Sequence, residues 1–269
     1  FHGLLDEVTI WSRAVSAAEV SAIAAAGSAG IGGALGNQGA GVLLAGAAGN
    51  LIGGTTEGAR NIISGNAENG ITIQGGRLNS VQGNYIGTDR DGDAALGNGE
   101  AGVSIQDSVG NLIGGASEGA DNVISGNRTG VAVIGLAATG NTIVGNYIGT
   151  DSTGTADLGN FDGVIITSGA SVFGAGGNRI GGTSAAERNV ISGNDHFGIL
   201  LARTAGNQVQ GNYIGTDRTG TQGLGNGSVG IGLVSDIDSV IGGTLPGAGN
   251  VIAASGGPGV ALYGGVATQ

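Results

Sequence analysis

The chain contains no cysteine, so it has neither a disulfide framework nor a thiolate metal site, and cysteine usage gives no reading of its redox compartment. It contains no lysine either: the nine cationic side chains are all arginine, set against 20 carboxylates for a formal net charge of −11. That balance argues against nucleic acid and anionic membrane as partners. No apolar run approaches the length needed to cross a bilayer, so membrane insertion is not expected. Aromatic residues make up only 3% of the chain, which leaves Val, Ile, Leu and Ala to fill the core and predicts a narrow one. Only two residues are proline, whereas 62 of 269 are glycine, far above the ordinary share of about 7%. Glycine at that level without proline excludes collagen and a proline-glycine tract, and points to a repeating architecture.

The repeat is visible when phrases are aligned. Asn61-Ile-Ile-Ser-Gly-Asn66 returns as Asn122-Val-Ile-Ser-Gly-Asn127 and Asn189-Val-Ile-Ser-Gly-Asn194, and decays to Asn250-Val-Ile252, at spacings of 61, 67 and 61 residues. Between these lies Gly83-Asn-Tyr-Ile-Gly-Thr-Asp89, which recurs at 145–151 and 211–217. Leu-Gly-Asn begins at 35, 96, 158 and 224. A finer period lies inside each unit: a glycine followed by alternating aliphatics begins at Gly41, Gly70, Gly102, Gly130, Gly163, Gly198, Gly230 and Gly259, at intervals of 28 to 35 residues.

Each interval reads as three short strands separated by turns. Strands this short, alternating with period two, cannot bury a face alone, whereas stacked coils can. The predicted fold is therefore all-β: a right-handed parallel β-helix of about eight coils, three short strands per coil, roughly 38 Å long at about 4.8 Å per coil. In Gly-Val-x-Ile the second and fourth residues should point inward, namely Val103 and Ile105, Val131 and Val133, Val164 and Ile166, Ile199 and Leu201. Asparagine recurs beside the inward aliphatics in two columns. One holds Asn50, Asn79, Asn111, Asn141, Asn178 and Asn207, followed by Ser239; the other holds Asn61, Asn84, Asn122, Asn146, Asn189, Asn212 and Asn250. Stacked amides can hydrogen-bond from coil to coil at corners, where Asn also tolerates left-handed backbone angles.

With these phrases in place, residues 31–269 resemble the pectin-lyase-like family of right-handed parallel β-helices. The resemblance rests on Asn-x-Ile-Gly-Gly, Asn-Val-Ile-Ser-Gly-Asn and Gly-Asn-Tyr-Ile-Gly-Thr-Asp. It implies a fold more than an activity, because that architecture hosts lyases, hydrolases, epimerases, tailspikes and inert stalks. Residues 1–30 resemble the final strand and closing helix of a laminin-G-like, concanavalin A-type jelly roll, carried by Phe1-His-Gly-Leu-Leu-Asp-Glu-Val-Thr-Ile-Trp-Ser-Arg-Ala-Val. Within them Ser16-Ala-Ala-Glu19 is a capping-box pattern, which predicts a helix from about residue 17 to 25 that caps the first coil. These resemblances lead to the expectation of a piece of a longer secreted or cell-surface protein.

Three features carry candidate chemistry. The turn Asp89-Arg-Asp-Gly-Asp-Ala-Ala-Leu-Gly-Asn-Gly-Glu100 places Asp89, Asp91, Asp93 and Glu100 at the first, third, fifth and twelfth positions of a calcium loop. Calcium is thus the candidate cofactor, although Ala94 replaces the glycine of the sixth position and the parallel turns at 151 and 217 drop the later carboxylates. Asp195-His196 is similar to the Asp-His pair of some pectate lyases, but it falls where other coils carry a variable turn, and no residue is assigned a catalytic role. Between Asn and Ile of the third strand runs an apolar column, Ile62, Tyr85, Val123, Tyr147, Val190, Tyr213 and Val251. Either the long turns at Asp89, Asp151 and Asp217 fold back over it, anchored by Leu96, Leu158 and Leu224, or Tyr85, Tyr147 and Tyr213, about 9.6 Å apart, form a ligand platform. Two functional classes follow. One is a non-catalytic structural or adhesive module, whose partners would be polysaccharide or neighbouring copies and domains. The other is a carbohydrate-active enzyme, a polysaccharide lyase or glycoside hydrolase.

Overall fold

The computed structural model describes residues 36–170 and 172–264. The expected laminin-G-like segment at 1–30 and its capping helix lie outside the described residues. Elsewhere the chain winds through three parallel sheets. The first has eight strands, from Val42–Ala45 to Val260–Tyr263; the second has seven, from Leu51–Gly53 to Val240–Ile241; the third has seven, from Ile62–Ile63 to Val251–Ile252. Every strand pairs with its counterpart one coil away, in parallel, giving a right-handed all-β solenoid. The eight glycine-led starts are the eight strands of the first sheet, and about seven complete turns follow from them, one fewer than the starts alone suggest. Helix is limited, among the described residues, to single 3-10 turns at Glu57–Ala59 and Ala185–Glu187.

The alternation explains the core. Val103, Val131, Val164, Ile199 and Ile231 share one column by register, and Ile105, Val133, Ile166, Leu201 and Leu233 share the next. All of these are buried in one continuous interior. The largest fully buried side chains, from Ile71 to Ile199, are all isoleucine, so the narrowness predicted from the scarcity of aromatics holds. Each such burial contributes about 1.5–3 kcal/mol relative to exposure.

At the corners, a ladder Asn inside the stack accepts, through one Oδ1, both the backbone N–H and an Nδ2–H of the Asn one coil earlier. Asn122 Nδ2 donates to Asn146 Oδ1 at 2.9 Å and Asn122 N–H to the same atom at 3.3 Å. Nδ2 also donates to backbone carbonyls of earlier coils, as Asn122 does to Val81 O at 2.8 Å. Apart from Asn207 Nδ2, the buried ladder amides thereby meet the requirement that polar groups removed from water be partnered. A third ladder accompanies the two read from the sequence: Asn37, Asn66, Asn98, Asn127, Asn160, Asn194 and Asn226, joined by bonds of 2.7 to 3.1 Å.

Candidate functional site

The three long turns are built alike. Asp89 Oδ1 accepts the backbone N–H groups of Gly92, Asp93 and Ala94 at 2.8, 3.1 and 3.3 Å. Asp151 and Asp217 do the same for Thr155 and Ala156 and for Thr221 and Gln222. Burial pushes the Asp151 carboxyl up, but the Thr153 hydroxyl and the N–H groups of Ala156 and Thr155 outweigh it, and the net shift is downward. The turns also stack on one another, Ser152 N–H donating to Gly92 O at 2.8 Å and Arg218 N–H to Gly154 O at 2.9 Å. At their tips Gly92 and Gly220 have φ of +72° and +73°, and an added Cβ at either would come within 2.8 Å of the Tyr85 or Tyr213 ring. Only glycine can take that backbone and let the turn rest on the ring.

The expected calcium ligands separate accordingly. Asp89 is buried and organises its turn, whereas Asp91 and Asp93 are exposed on the turn and Glu100 is exposed at the foot of the next first-sheet strand. The Asp93 carboxyl is raised, first by the charge of Asp89 and then by burial and Asp91. Among the described residues no group of three or more His, Asp or Glu converges in a way that would hold a metal ion.

The turns fold back over most of the apolar column: Ile62, Tyr85, Val123 and Val190 are buried and Tyr147 and Tyr213 are half-buried, whereas Val251, on the last described strand of that sheet, is exposed. The three tyrosines nevertheless differ. The Arg60 guanidinium lies 4.1 Å from the Tyr85 ring centroid, and that of Arg188 lies 4.0 Å from Tyr213, with Arg188 Nε donating to Gly211 O at 3.0 Å. Register explains the pairing. Ile62, Val123 and Val190 lie beside Tyr85, Tyr147 and Tyr213, so the residue two positions earlier, Arg60, Asp121 or Arg188, faces the tyrosine of the next coil. At Tyr147 that residue is an acid. There a cleft of about 430 Å³ opens between the short turns 115–121 and 182–188, lined by Tyr147, Asp121, Glu118, Arg188 and Arg218. The Tyr147 phenol is pushed up by burial, against Arg218, with Asp121 and Asp151 adding to the rise.

A second cluster lies at the start of the first-sheet strands. His196 Nδ1 is 3.1 Å from Asp162 Oδ1, the same oxygen that accepts the Phe197 N–H at 3.2 Å. The His196 ring lies 5.2 Å from that of Phe161 and 4.2 Å from that of Phe197. The partner of His196 is therefore Asp162, one coil earlier, rather than the adjacent Asp195, which is exposed. The buried Asp236 was not evident from the sequence: its Oδ1 accepts the Thr204 hydroxyl at 2.5 Å, its Oδ2 has no partner, and burial raises its carboxyl. No protein-family model, curated protein or solved structure gives a significant match to the chain, so its own repeats supply the comparison for each site.

Proposed function

We propose that this chain is a non-catalytic structural or adhesive module of the pectin-lyase-like kind, secreted or displayed at a cell surface, with residues 1–30 closing a laminin-G-like domain. The observation that carries this reading is the continuity of the asparagine ladders, which Ser239 interrupts in one column near its end. They pass through successive coils at three corners, and the carboxylates that open the long turns, Asp89, Asp151 and Asp217, are engaged in holding those turns. A stack bonded in this way is a stiff rod that fixes the spacing of whatever it carries. Its partners on this reading are polysaccharide or neighbouring copies and domains of the surface protein.

A second reading has one specific observation in its favour. Phe161, half-exposed, His196 and Phe197 form a ring cluster, tilted at the first pair and edge-to-face at the second, beside the buried carboxylate of Asp162, a combination suited to a sugar ring and its hydroxyls. The test is incubation with acidic and neutral polysaccharides, followed by ultraviolet absorbance for lyase products and by reducing ends for hydrolysis. The structural reading expects no release. Retention of the protein on an insoluble polysaccharide, lost in Phe161→Ala, would locate adhesion at the ring cluster. Product release from any substrate would overturn the non-catalytic reading in favour of a carbohydrate-active enzyme.

A further inference from the structure

The three tyrosine sites are internal copies of one another, and two of them hold a guanidinium from their own chain, at 4.1 Å on Tyr85 and 4.0 Å on Tyr213. The middle copy keeps the tyrosine, the flanking short turns and the glycine tip, but carries Asp121 where the others carry Arg60 and Arg188. The change replaces the cation with an anion at the position facing the ring, and the cleft that opens there is lined by a second carboxylate, Glu118. We propose that the cleft at Tyr147 seats a guanidinium supplied by another molecule, the arginine side chain of a protein partner.

Shape and charge act together at this cleft. The architecture around Tyr85 and Tyr213 shows that this corner of the solenoid accommodates a planar guanidinium against the ring. A cation over an aromatic face gains more when partly desolvated, and the half-buried Tyr147 ring is such a face. Asp121 and Glu118 provide carboxylates for the fork of N–H donors that guanidinium presents and a lysine ammonium does not. Two arginines of this chain also line the cleft. Arg188 is committed to the Tyr213 ring and to Gly211 O. Arg218, exposed and held by its backbone to Gly154 O, is the competing cation.

The test is titration of the whole chain with N-acetyl-arginine amide and with its uncharged isostere, N-acetyl-citrulline amide, read from the nuclear magnetic resonance signals of the Tyr147 ring, which Tyr147→Phe identifies. The expected result is a saturable shift with the arginine amide and binding about tenfold weaker for citrulline. Tyr147→Ala should abolish binding, Asp121→Asn should weaken it severalfold, and Arg218→Ala should leave it intact or tighter. Asp121→Arg should abolish it by filling the seat from within, with ring shifts at Tyr147 approaching those of Tyr85 and Tyr213. Equal response to citrulline, no response to arginine, or binding that survives Asp121→Arg would overturn the proposal. So would a ring shift with glucuronate in place of arginine, which would mark an anion site built on Arg218.

Discussion

Replacing Asn146 with Ala removes a member from the middle of a ladder, and the structure gives the size of the loss. Asn146 Oδ1 accepts Asn122 Nδ2 at 2.9 Å and Asn122 N–H at 3.3 Å, and its Nδ2 donates to Asn189 Oδ1, Ile113 O and Val144 O, each at 3.0 Å. In the variant the Asn122 N–H and one Nδ2 hydrogen lose their acceptor inside a corner that is sealed from solvent, since Asn122, Asn146 and Asn189 are all buried. At about 1–3 kcal/mol for each orphaned buried donor, the loss should come to about 3–5 kcal/mol. Asn50→Ala is the control: Asn50 is exposed at the first described coil, so water replaces its bonds and the cost should stay below about 1 kcal/mol. Urea unfolding followed by circular dichroism, compared at equal slope, measures both. Equal losses in the two variants, or a loss at Asn146 no larger than at Asn50, would refute the view that the ladders are buried, satisfied columns.

Ser239 interrupts the other ladder: its Oγ accepts the Asn207 N–H at 3.1 Å but leaves Asn207 Nδ2 without a partner. Ser239→Asn should therefore raise stability by about 1–2 kcal/mol in the same unfolding assay, and an unchanged or lower midpoint would count against it. Burial raises the Asp236 carboxyl, so its contribution is present below the unfolded-state pKa and is lost as pH rises through the folded value. That contribution should decline from acid toward neutral pH, opposing the rise supplied by Asp151, Glu187 and Asp217, whose carboxyls are lowered, and Asp236→Asn should make the net rise with pH steeper; a wild-type slope in the variant would assign the effect elsewhere. Because Asp89 Oδ1 already closes its turn with three N–H groups, excess calcium or chelator should leave the calorimetric transition in place. A rise with calcium, lost in Asp93→Asn, would establish the turn as a metal site.

What was legible in the sequence was whatever repeats within a coil. Val103 and Ile105, or Val164 and Ile166, declare their inward face by alternation alone, because period two is a property of a single strand. Two ladders were equally plain, since their members precede an aliphatic at a constant offset. The third was hidden because its members belong to two phrases in alternation, the last Asn of Asn-Val-Ile-Ser-Gly-Asn and the Asn of Leu-Gly-Asn, so that Asn127 is followed by Asn160 and Asn160 by Asn194. Contacts between coils were less legible still. Arg60 reaches Tyr85 and Arg188 reaches Tyr213 across 25 residues, and Asp121 faces Tyr147 across 26. His196 meets Asp162 across 34 residues while standing next to a different aspartate. Such pairs become visible only when the register is known, because insertions in the turns change the spacing from one coil to the next.

The stacking itself is open to direct measurement, and a chain without cysteine allows two spin labels to be placed cleanly. Leu43 and Ala261 lie in one outward column of the first sheet, the first in its first strand and the second in its eighth, seven strand separations apart. With both replaced by labelled cysteine, pulsed electron resonance should give a single narrow distance near 34 Å, seven steps of about 4.8 Å. A broad distribution, or a separation well below that length, would show that the coils do not rise in one continuous parallel stack.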